Sequence, residues 1–304
     1  MTTQNSTAEL AAVPAETDSR LGAQMEAIII ARLEADRLVL PALPAAALKC
    51  LALLRDPELS LKSAAAVLEG DPVLAAQLVR LTNRAALATR EPVKTVLGAV
   101  TKLGTSKLRA FLYEASATQM VDSRDARISK SCRAVWQHSL AVAVLAKNVA
   151  TFAAVGDPDA SYLGGLLHDI GKPVVASLLL QAEKILGEQR PRAGWIGSDE
   201  WSQVIDRIHR RVGVALADKW QLPDTVTACL RSCDDYDVND RVSAVNAVRF
   251  ANALAKREGF YLGPVDADDN NALILIGSSL LGIDDGVIAR SLAGLQEQID
   301  ARVG

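Results

Sequence analysis

Apolar residues recur along this chain at intervals of three and four, with no strand-like alternation in the first half to compete, so the pattern predicts helices throughout. Met25, Ile28, Ile29 and Leu33 mark a first helix over about residues 20–37. Leu40-Pro41-Ala42-Leu43-Pro44 then breaks it, because proline lacks a donor and restricts its predecessor. Asp56-Pro57 and Asp71-Pro72 each look like an N-cap followed by proline at the first helical position, and the second opens a helix with Leu74, Leu78 and Leu81 on one face. Helices over Thr95–Leu103, ended by Gly104, and over about 106–118 follow. The second half reads as helices over about 132–153, 159–169, 173–189, 198–219, 223–232, 240–258, 269–282 and 284–302, with Gly, Pro or Asp in the linkers. No internal repeat of fixed period occurs. The fold class predicted is all-α and multi-helical.

Residues 1–18 are polar, carry no apolar period and are expected to form a disordered leader. The polar stretch 122–131 marks the boundary between an N-terminal helical subdomain over 19–125 and a second over 126–304; every His and Trp lies at or after Trp136.

Composition narrows the class. Half of the 304 residues are apolar but only 4% are aromatic, which suits packed helices better than β-sandwiches. A formal net charge of -3 argues against a nucleic-acid binder. Arg80, Arg84, Arg90, Lys94, Lys102, Lys107 and Arg109 make one segment basic, but it lacks aromatic stacking residues and reads as a solvated helix face. Cys50, Cys132, Cys229 and Cys233 have no framework spacing, and no signal peptide opens the chain, so reduced thiols in a cytoplasmic protein are expected. The longest apolar stretch, Tyr162 to Leu180, contains His168, Asp169 and Lys172. A lipid-facing span would not tolerate that trio cheaply, so a buried helix–turn–helix of a soluble protein is predicted, with no membrane partner.

The candidate chemistry rests on three histidines. His138 lies on the apolar stripe Val135, Val142, Leu145, Val149; His209 lies on Ile205, Ile208, Val212, Leu216. His168 follows Gly164-Gly165-Leu166-Leu167, where glycines permit close backbone approach, and Asp169 follows it directly. A lone histidine on an apolar face is more often a satisfied core residue than a ligand. Three of them, one beside a carboxylate, favour a convergent polar site, and imidazoles with a carboxylate suit zinc, iron, manganese or nickel.

These residues resemble a family. His168-Asp169-Ile170-Gly171-Lys172 is similar to the HD motif of the HD phosphohydrolase superfamily, in the form seen in HD-GYP phosphodiesterases. Trp136-Gln137-His138-Ser139 resembles its upstream histidine, and His209 through Leu216, followed by Trp220-Gln221-Leu222-Pro223, resembles a helix ending in W-x-L-P. In the first half, Leu40-Pro41-Ala42-Leu43-Pro44, Asp71-Pro72-Val73-Leu74, Leu81-Thr82-Asn83-Arg84-Ala85 and Ala99-Val100-Thr101-Lys102-Leu103-Gly104 follow the HDOD (HD-related output domain) pattern in order, with Arg84 in place of a serine. The resemblance runs from about residue 30 to 260 and implies one HDOD unit over 19–304.

It also implies a partly eroded site. Where HD enzymes close the metal site with an aspartate, this chain reads Ala251-Asn252-Ala253-Leu254-Ala255, and an amide is a neutral, weaker ligand. The paired histidine and Gly-Tyr-Pro signature of HD-GYP enzymes are missing from Arg231-Ser232-Cys233-Asp234-Asp235-Tyr236-Asp237. Cys229 and Cys233 share a helix face, a spacing that is more often packing than metal binding. The metal candidates are therefore His138, His168, Asp169 and His209, with Asn252 in place of the closing acid; were the site active, His168, Asp169 and Lys172 would carry the catalysis. No cofactor is required, and the ligand set admits a divalent iron, manganese or zinc ion. The resemblance implies a stand-alone, non-catalytic bacterial signal-transduction module that binds a signalling protein or a nucleotide second messenger. The alternative is a metal-dependent phosphohydrolase or phosphodiesterase acting on nucleotides or cyclic dinucleotides.

Overall fold

Helical periodicity becomes fourteen helices, with no strand among the described residues. The computed structural model describes residues 15–56, 58, 60–84, 92–121, 126–189, 198–231, 235–261 and 263–303. In chain order these are α1 (Ala15–Glu34), α2 (Ala45–Leu53), α3 (Leu61–Glu69), α4 (Pro72–Thr82), α5 (Val96–Val121), α6 (Ala126–Ala153) and α7 (Pro158–Leu167). There follow α8 (Gly171–Gln189), α9 (Ser198–Trp220), α10 (Asp224–Arg231), α11 (Ala244–Arg257), α12 (Ala267–Leu281), α13 (Asp285–Leu292) and α14 (Leu295–Val303).

The element boundaries differ from expectation at a few places, each for a local reason. α1 begins at Ala15, just after Pro14 in the sequence, so the last residues of the expected leader are helical; residues 1–14 lie outside the described residues. Asp71 caps α4 as its sequence predicts, accepting from Val73 N and Leu74 N, with Pro72 at the first helical position. Asp56 does not open a helix: its Oδ1 accepts from Glu58 N in a short turn, and α3 starts only at Leu61; Pro57 lies outside the described residues. As expected, two helices meet at Gly104, which adopts the non-helical φ 72, ψ 174, backbone that a side chain would strain; they are labelled together as α5. The helix expected over 284–302 breaks into α13 and α14 at Gly294, which has φ 67. The polar stretch 122–131 is helical from Ala126, and residues 122–125 lie outside the described residues.

The helices assort into two compact units. Residues 1–39 with 175–208 form one, and residues 40–174 with 209–304 the other. In the first, α1 is tied to α9: Gly22 N–H donates to Glu200 Oε1 at 3.0 Å, and Arg207 pairs with Glu26 at 2.8 Å. In the second, α6, α7 and α11 pack on one another, α10 covers α7, α12 covers α11, and α13 and α14 cover α6. Leu140, Leu145, Leu166 and Leu167 are fully buried there, each contributing about 1.5–3 kcal/mol.

Residues that carry the family resemblance act as fasteners in this second unit. Trp220 Nε1 donates to Pro41 O at 3.1 Å and Lys219 Nζ to Leu40 O at 2.7 Å, so the W-x-L-P segment holds the proline-rich break. Asn83 grips Val93 with both amide atoms at 2.7 Å, and Lys102 Nζ caps the Thr82 carbonyl at 2.7 Å. Arg109, another member of the basic segment, donates to Leu54 O at 3.0 Å; Arg90 lies outside the described residues.

The stretch Pro158–Lys184 is long and apolar enough to cross a membrane, but 83% of its most apolar window is buried, and a turn at residues 168–170 interrupts its helix. The helix–turn–helix expected from Tyr162 to Leu180 is therefore present as α7, a turn and α8.

Candidate functional site

The turn between α7 and α8 builds the site. His168 ends α7, Ile170 N–H donates to Leu167 O at 2.9 Å, and Lys172 N–H donates to Asp169 O at 2.9 Å, so a tight hydrogen-bonded turn joins α7 to α8. Two glycines let the turn sit close to its neighbours. A Cβ on Gly165 would meet Ala143 Cα at 2.8 Å and Ala143 N at 2.9 Å, which brings α7 onto the backbone of α6, the helix of His138. A Cβ on Gly171 would strike the carbonyl of His209 on α9 and stand 3.0 Å from Gly213 N.

The histidines that the sequence singled out converge here. Nitrogen or oxygen atoms of His138, His168 and Asp169 all lie within 4.8 Å of one another. Asp169 Oδ2 is 3.4 Å from His168 Nε2 and 2.8 Å from Lys172 Nζ; Asp169 Oδ1 is 3.4 Å from His209 Nε2. His209 thus reaches the carboxylate from its far oxygen and stands outside the tight group. The rings of His138 and His168 meet edge to face at 5.3 Å. Exposure is 2%, 5%, 5% and 6% for His138, His168, Asp169 and His209.

Backbone carbonyls set the tautomers. His138 Nδ1 lies 2.6 Å from Phe260 O and His168 Nδ1 lies 2.7 Å from Gly165 O. A carbonyl only accepts, so each Nδ1 carries the proton and each Nε2 presents a bare lone pair. Neither Nε2 has a hydrogen-bond partner among the described residues, and the same holds for Asn252 Oδ1 on α11, a helix packed on both α6 and α7. An Nδ1–H held by a carbonyl is the usual outer support of a metal-ligating histidine.

Charge follows from burial. Burial pushes the His138 imidazole down to about 3, with His168 and Lys172 adding to it and Asp169 opposing. Burial likewise lowers His168 against the pull of Asp169 and the Gly165 carbonyl. For Asp169, burial alone would raise the carboxyl, but the charge His168 carries when protonated, the Lys172 ammonium and the hydrogen bond from His209 outweigh it and hold the group well below the usual carboxylate range. The site thus offers two neutral imidazoles and one ionised carboxylate. That donor set fits a single divalent ion held by His138, His168 and Asp169. His168 Nε2 and Asp169 Oδ2 face each other as two acceptors, an arrangement that a cation between them relieves. Lys172 already supplies one cation to Asp169 Oδ2.

Three contributors were not read from sequence: the Phe260 carbonyl, Tyr261 and Lys256. The Tyr261 ring lies 5.1 Å from that of His138, with Lys172 Nζ 5.5 Å and Lys256 Nζ 5.0 Å from its centroid. Phe260 is 122 positions from His138, and Phe260, Tyr261 and Lys256 lie outside the motifs, so no local signal marks them. Cys229 is buried against Gly164 and donates to Thr225 O at 3.3 Å, a packing role; Cys233 lies outside the described residues.

The fold has counterparts among known proteins. The HDOD domain family matches residues 40–236. A chain from Shewanella amazonensis SB2B, described as a candidate metal-dependent phosphohydrolase, is 19% identical, with a TM-score of 0.72 over 92% of this chain and 98% of its own. An HDOD domain protein of unknown function from Geobacter sulfurreducens is 21% identical, with a TM-score of 0.61 over 95% and 98%. A curated, uncharacterized protein from Treponema pallidum (strain Nichols) is 26% identical over 201 residues, 63% of this chain. The match spans only 37% of that relative's length.

Proposed function

Because the chain belongs to the HDOD domain family, we propose that it is a non-catalytic regulatory module of bacterial signal transduction, acting in the cytoplasm and binding a signalling protein or a nucleotide second messenger. The observation that carries this reading is the Lys172 ammonium 2.8 Å from Asp169 Oδ2. Hydrolysis by this kind of site needs a metal that acidifies bound water, and a carboxylate left free to ligate helps to hold such a cation. Asp169 is the one carboxylate in the tight group among the described residues, and an internal cation already neutralises it. Asn252, which the resemblance sets in the closing acid's place, adds no charge. Nucleic acid is not the expected partner, since Lys102 and Arg109 of the basic segment cap main-chain carbonyls.

A second reading, metal-dependent phosphohydrolase, draws on the two bare Nε2 atoms beside a carboxylate. In that case His138, His168 and Asp169 would hold a divalent iron, manganese or zinc ion, whose role is to polarise a water molecule.

Metal analysis of protein purified without an affinity tag, together with a turnover assay on cyclic dinucleotides and nucleotide phosphoesters, separates the two. The expected result is turnover at background, unchanged by His168→Ala. Stoichiometric metal with turnover abolished by His168→Ala would overturn the non-catalytic reading. Asn252→Asp restores an anionic ligand and is expected to tighten Mn2+ or Zn2+ binding in calorimetry by more than about tenfold, the order by which groups supporting a metal site change its affinity. Unchanged affinity would remove Asn252 from the site.

A further inference from the structure

Helix α12 covers α11 with one face and leaves another face bare. Its inner face is firmly seated. Asn270 Nδ2 donates to Ala253 O at 3.0 Å, and the Tyr236 hydroxyl donates to Leu273 O at 2.9 Å. A Cβ on Gly277 would strike that hydroxyl and the Phe250 ring. Turned the other way are Ala272, Leu275, Ile276 and Ser279, all exposed, at spacings of three, one and three that put them on one helical stripe. Leu275 is 72% exposed and Ile276 53%. Single apolar side chains in water are ordinary, whereas two large ones side by side on a helix held this firmly form a surface that association would bury.

The charges around the stripe select what fits it. Arg241, from the segment joining α10 to α11, lines an open groove of about 390 Å³ with Leu275, Ile276, Ser279 and Leu280. It therefore flanks the C-terminal half of α12, and its exposed guanidinium forms no ion pair among the described residues. At the other end of the stripe Asp268, four residues before Ala272, is also exposed. An apolar strip with a cation at one end and an acid at the other suits an amphipathic helix of the same design running the opposite way. α12 is itself such a helix. Set antiparallel about a two-fold axis between Leu275 and Ile276, each Leu275 faces the Ile276 of the second copy and each Ala272 faces a Ser279. The Asp268 end of each copy then approaches the Arg241 side of the other. A parallel pairing would instead bring the two arginines together.

We propose that α12 is a self-association surface: two copies of this chain pair through their Ala272–Ser279 stripes, antiparallel, with Arg241 of each opposite Asp268 of the other. The contact is small. α12 has 15 residues, about 22 Å of helix, and one such helix against another buries less than the ~800 Å² per partner of a standard interface. The dimer is therefore weak and concentration-dependent, with Kd above about 1 µM. Nothing in this depends on whether the histidine cluster binds a metal or a ligand.

Sedimentation velocity of the full chain from about 5 to 500 µM, in about 50 mM salt to limit screening, tests the pairing. The expected result is a monomer–dimer equilibrium that Leu275→Glu weakens about a hundredfold, a loss of about tenfold counted twice across the two-fold axis. Arg241→Glu and Asp268→Arg, each alone, are expected to weaken it about tenfold, since each sets like charges opposite one another. Mixed in equal amounts, these two variants form a heterodimer in which both charge pairs are complementary, and association returns towards that of the wild type. All three substituted side chains are exposed, so the monomer keeps its fold, which far-UV circular dichroism checks. A chain that stays monomeric throughout overturns the proposal and leaves the stripe to a different protein. A dimer indifferent to Leu275→Glu overturns it too, as does a mixture that associates no more tightly than its components. Metal content and turnover at the histidine cluster decide the proposed function and leave each of these outcomes untouched.

Discussion

Gly164 and Gly165 are neighbours in α7, and replacing each by alanine separates two effects that helix propensity alone would merge. Either substitution gains about 1 kcal/mol of helical propensity. At Gly164 the new methyl meets side-chain atoms: Cys229 Sγ at 2.6 Å, Cys229 Cβ at 3.1 Å and Val248 Cγ2 at 3.3 Å. Ordinary contact begins near about 3.5 Å, so Cys229 Sγ must move by about 0.9 Å, a rotation of one side chain that leaves the helix backbones in place. At Gly165 it meets the main chain of α6, with Ala143 Cα at 2.8 Å, Ala143 N at 2.9 Å and Val142 O at 2.9 Å. Favourable carbon contacts begin near about 3.5 Å, so α6 and α7 must separate by about 0.6 Å along their whole contact. Overpacking costs about 1–3 kcal/mol, and rigid opponents place Gly165 at the upper end. The net expectation is Gly164→Ala within about 1 kcal/mol of wild type and Gly165→Ala destabilised by about 2 kcal/mol. Because Gly165 O holds His168 Nδ1 at 2.7 Å, the second variant should also disturb His168. Urea denaturation followed by far-UV circular dichroism measures the first effect, and imidazole 15N shifts measure the second. Equal stability of the two variants, or an unmoved His168 signal in Gly165→Ala, would refute the backbone-contact argument.

Acid should weaken the metal-free protein earlier than carboxylate titration alone would. His138 is pushed down to about 3 by burial and His168 is lowered as well, so from about pH 6.5 downward the unfolded chain takes up protons that the folded one refuses. Stability is complete above that pH and falls through the window toward about 3 at up to about 1.4 kcal/mol per pH unit for each histidine. Asp169, held low, adds its loss only below the ordinary carboxylate range. Denaturation curves from pH 7.5 to 4.5 check this; His138→Gln should flatten the slope, and a pH-independent wild type would contradict it. Asn246, fully buried, donates to Asp237 O at 2.8 Å and Asp240 O at 3.0 Å and accepts from Asp237 N at 2.8 Å. Asn246→Ala strands those groups and should cost about 2–3 kcal/mol in the same assay, with faster proteolysis near residues 235–243; a loss under about 0.5 kcal/mol would show that the turn does not need its amide.

Helix identity and most helix ends were legible because they are set within a few residues: Asp71 and Pro72 start α4 by a cap and a fixed φ, and the stripes through His138 and His209 turn both histidines inward. A local rule failed where another local contact won. Asp56-Pro57 carries the same cap chemistry as Asp71-Pro72, yet Asp56 Oδ1 accepts from Glu58 N in a turn, and α3 starts at Leu61.

At the site, the sequence by itself determined which residue types were available: inward histidines, a carboxylate after His168, glycines at 165 and 171, and an amide at 252. Only tertiary packing decided what they do to one another. The tautomers of His138 and His168, the Lys172 contact with Asp169 and the position of Tyr261 depend on Phe260, Gly165 and Lys256 occupying particular points in space. Helical periodicity reports the direction a side chain faces, whereas hydrogen bonds and charge depend on distances between helices far apart in the chain.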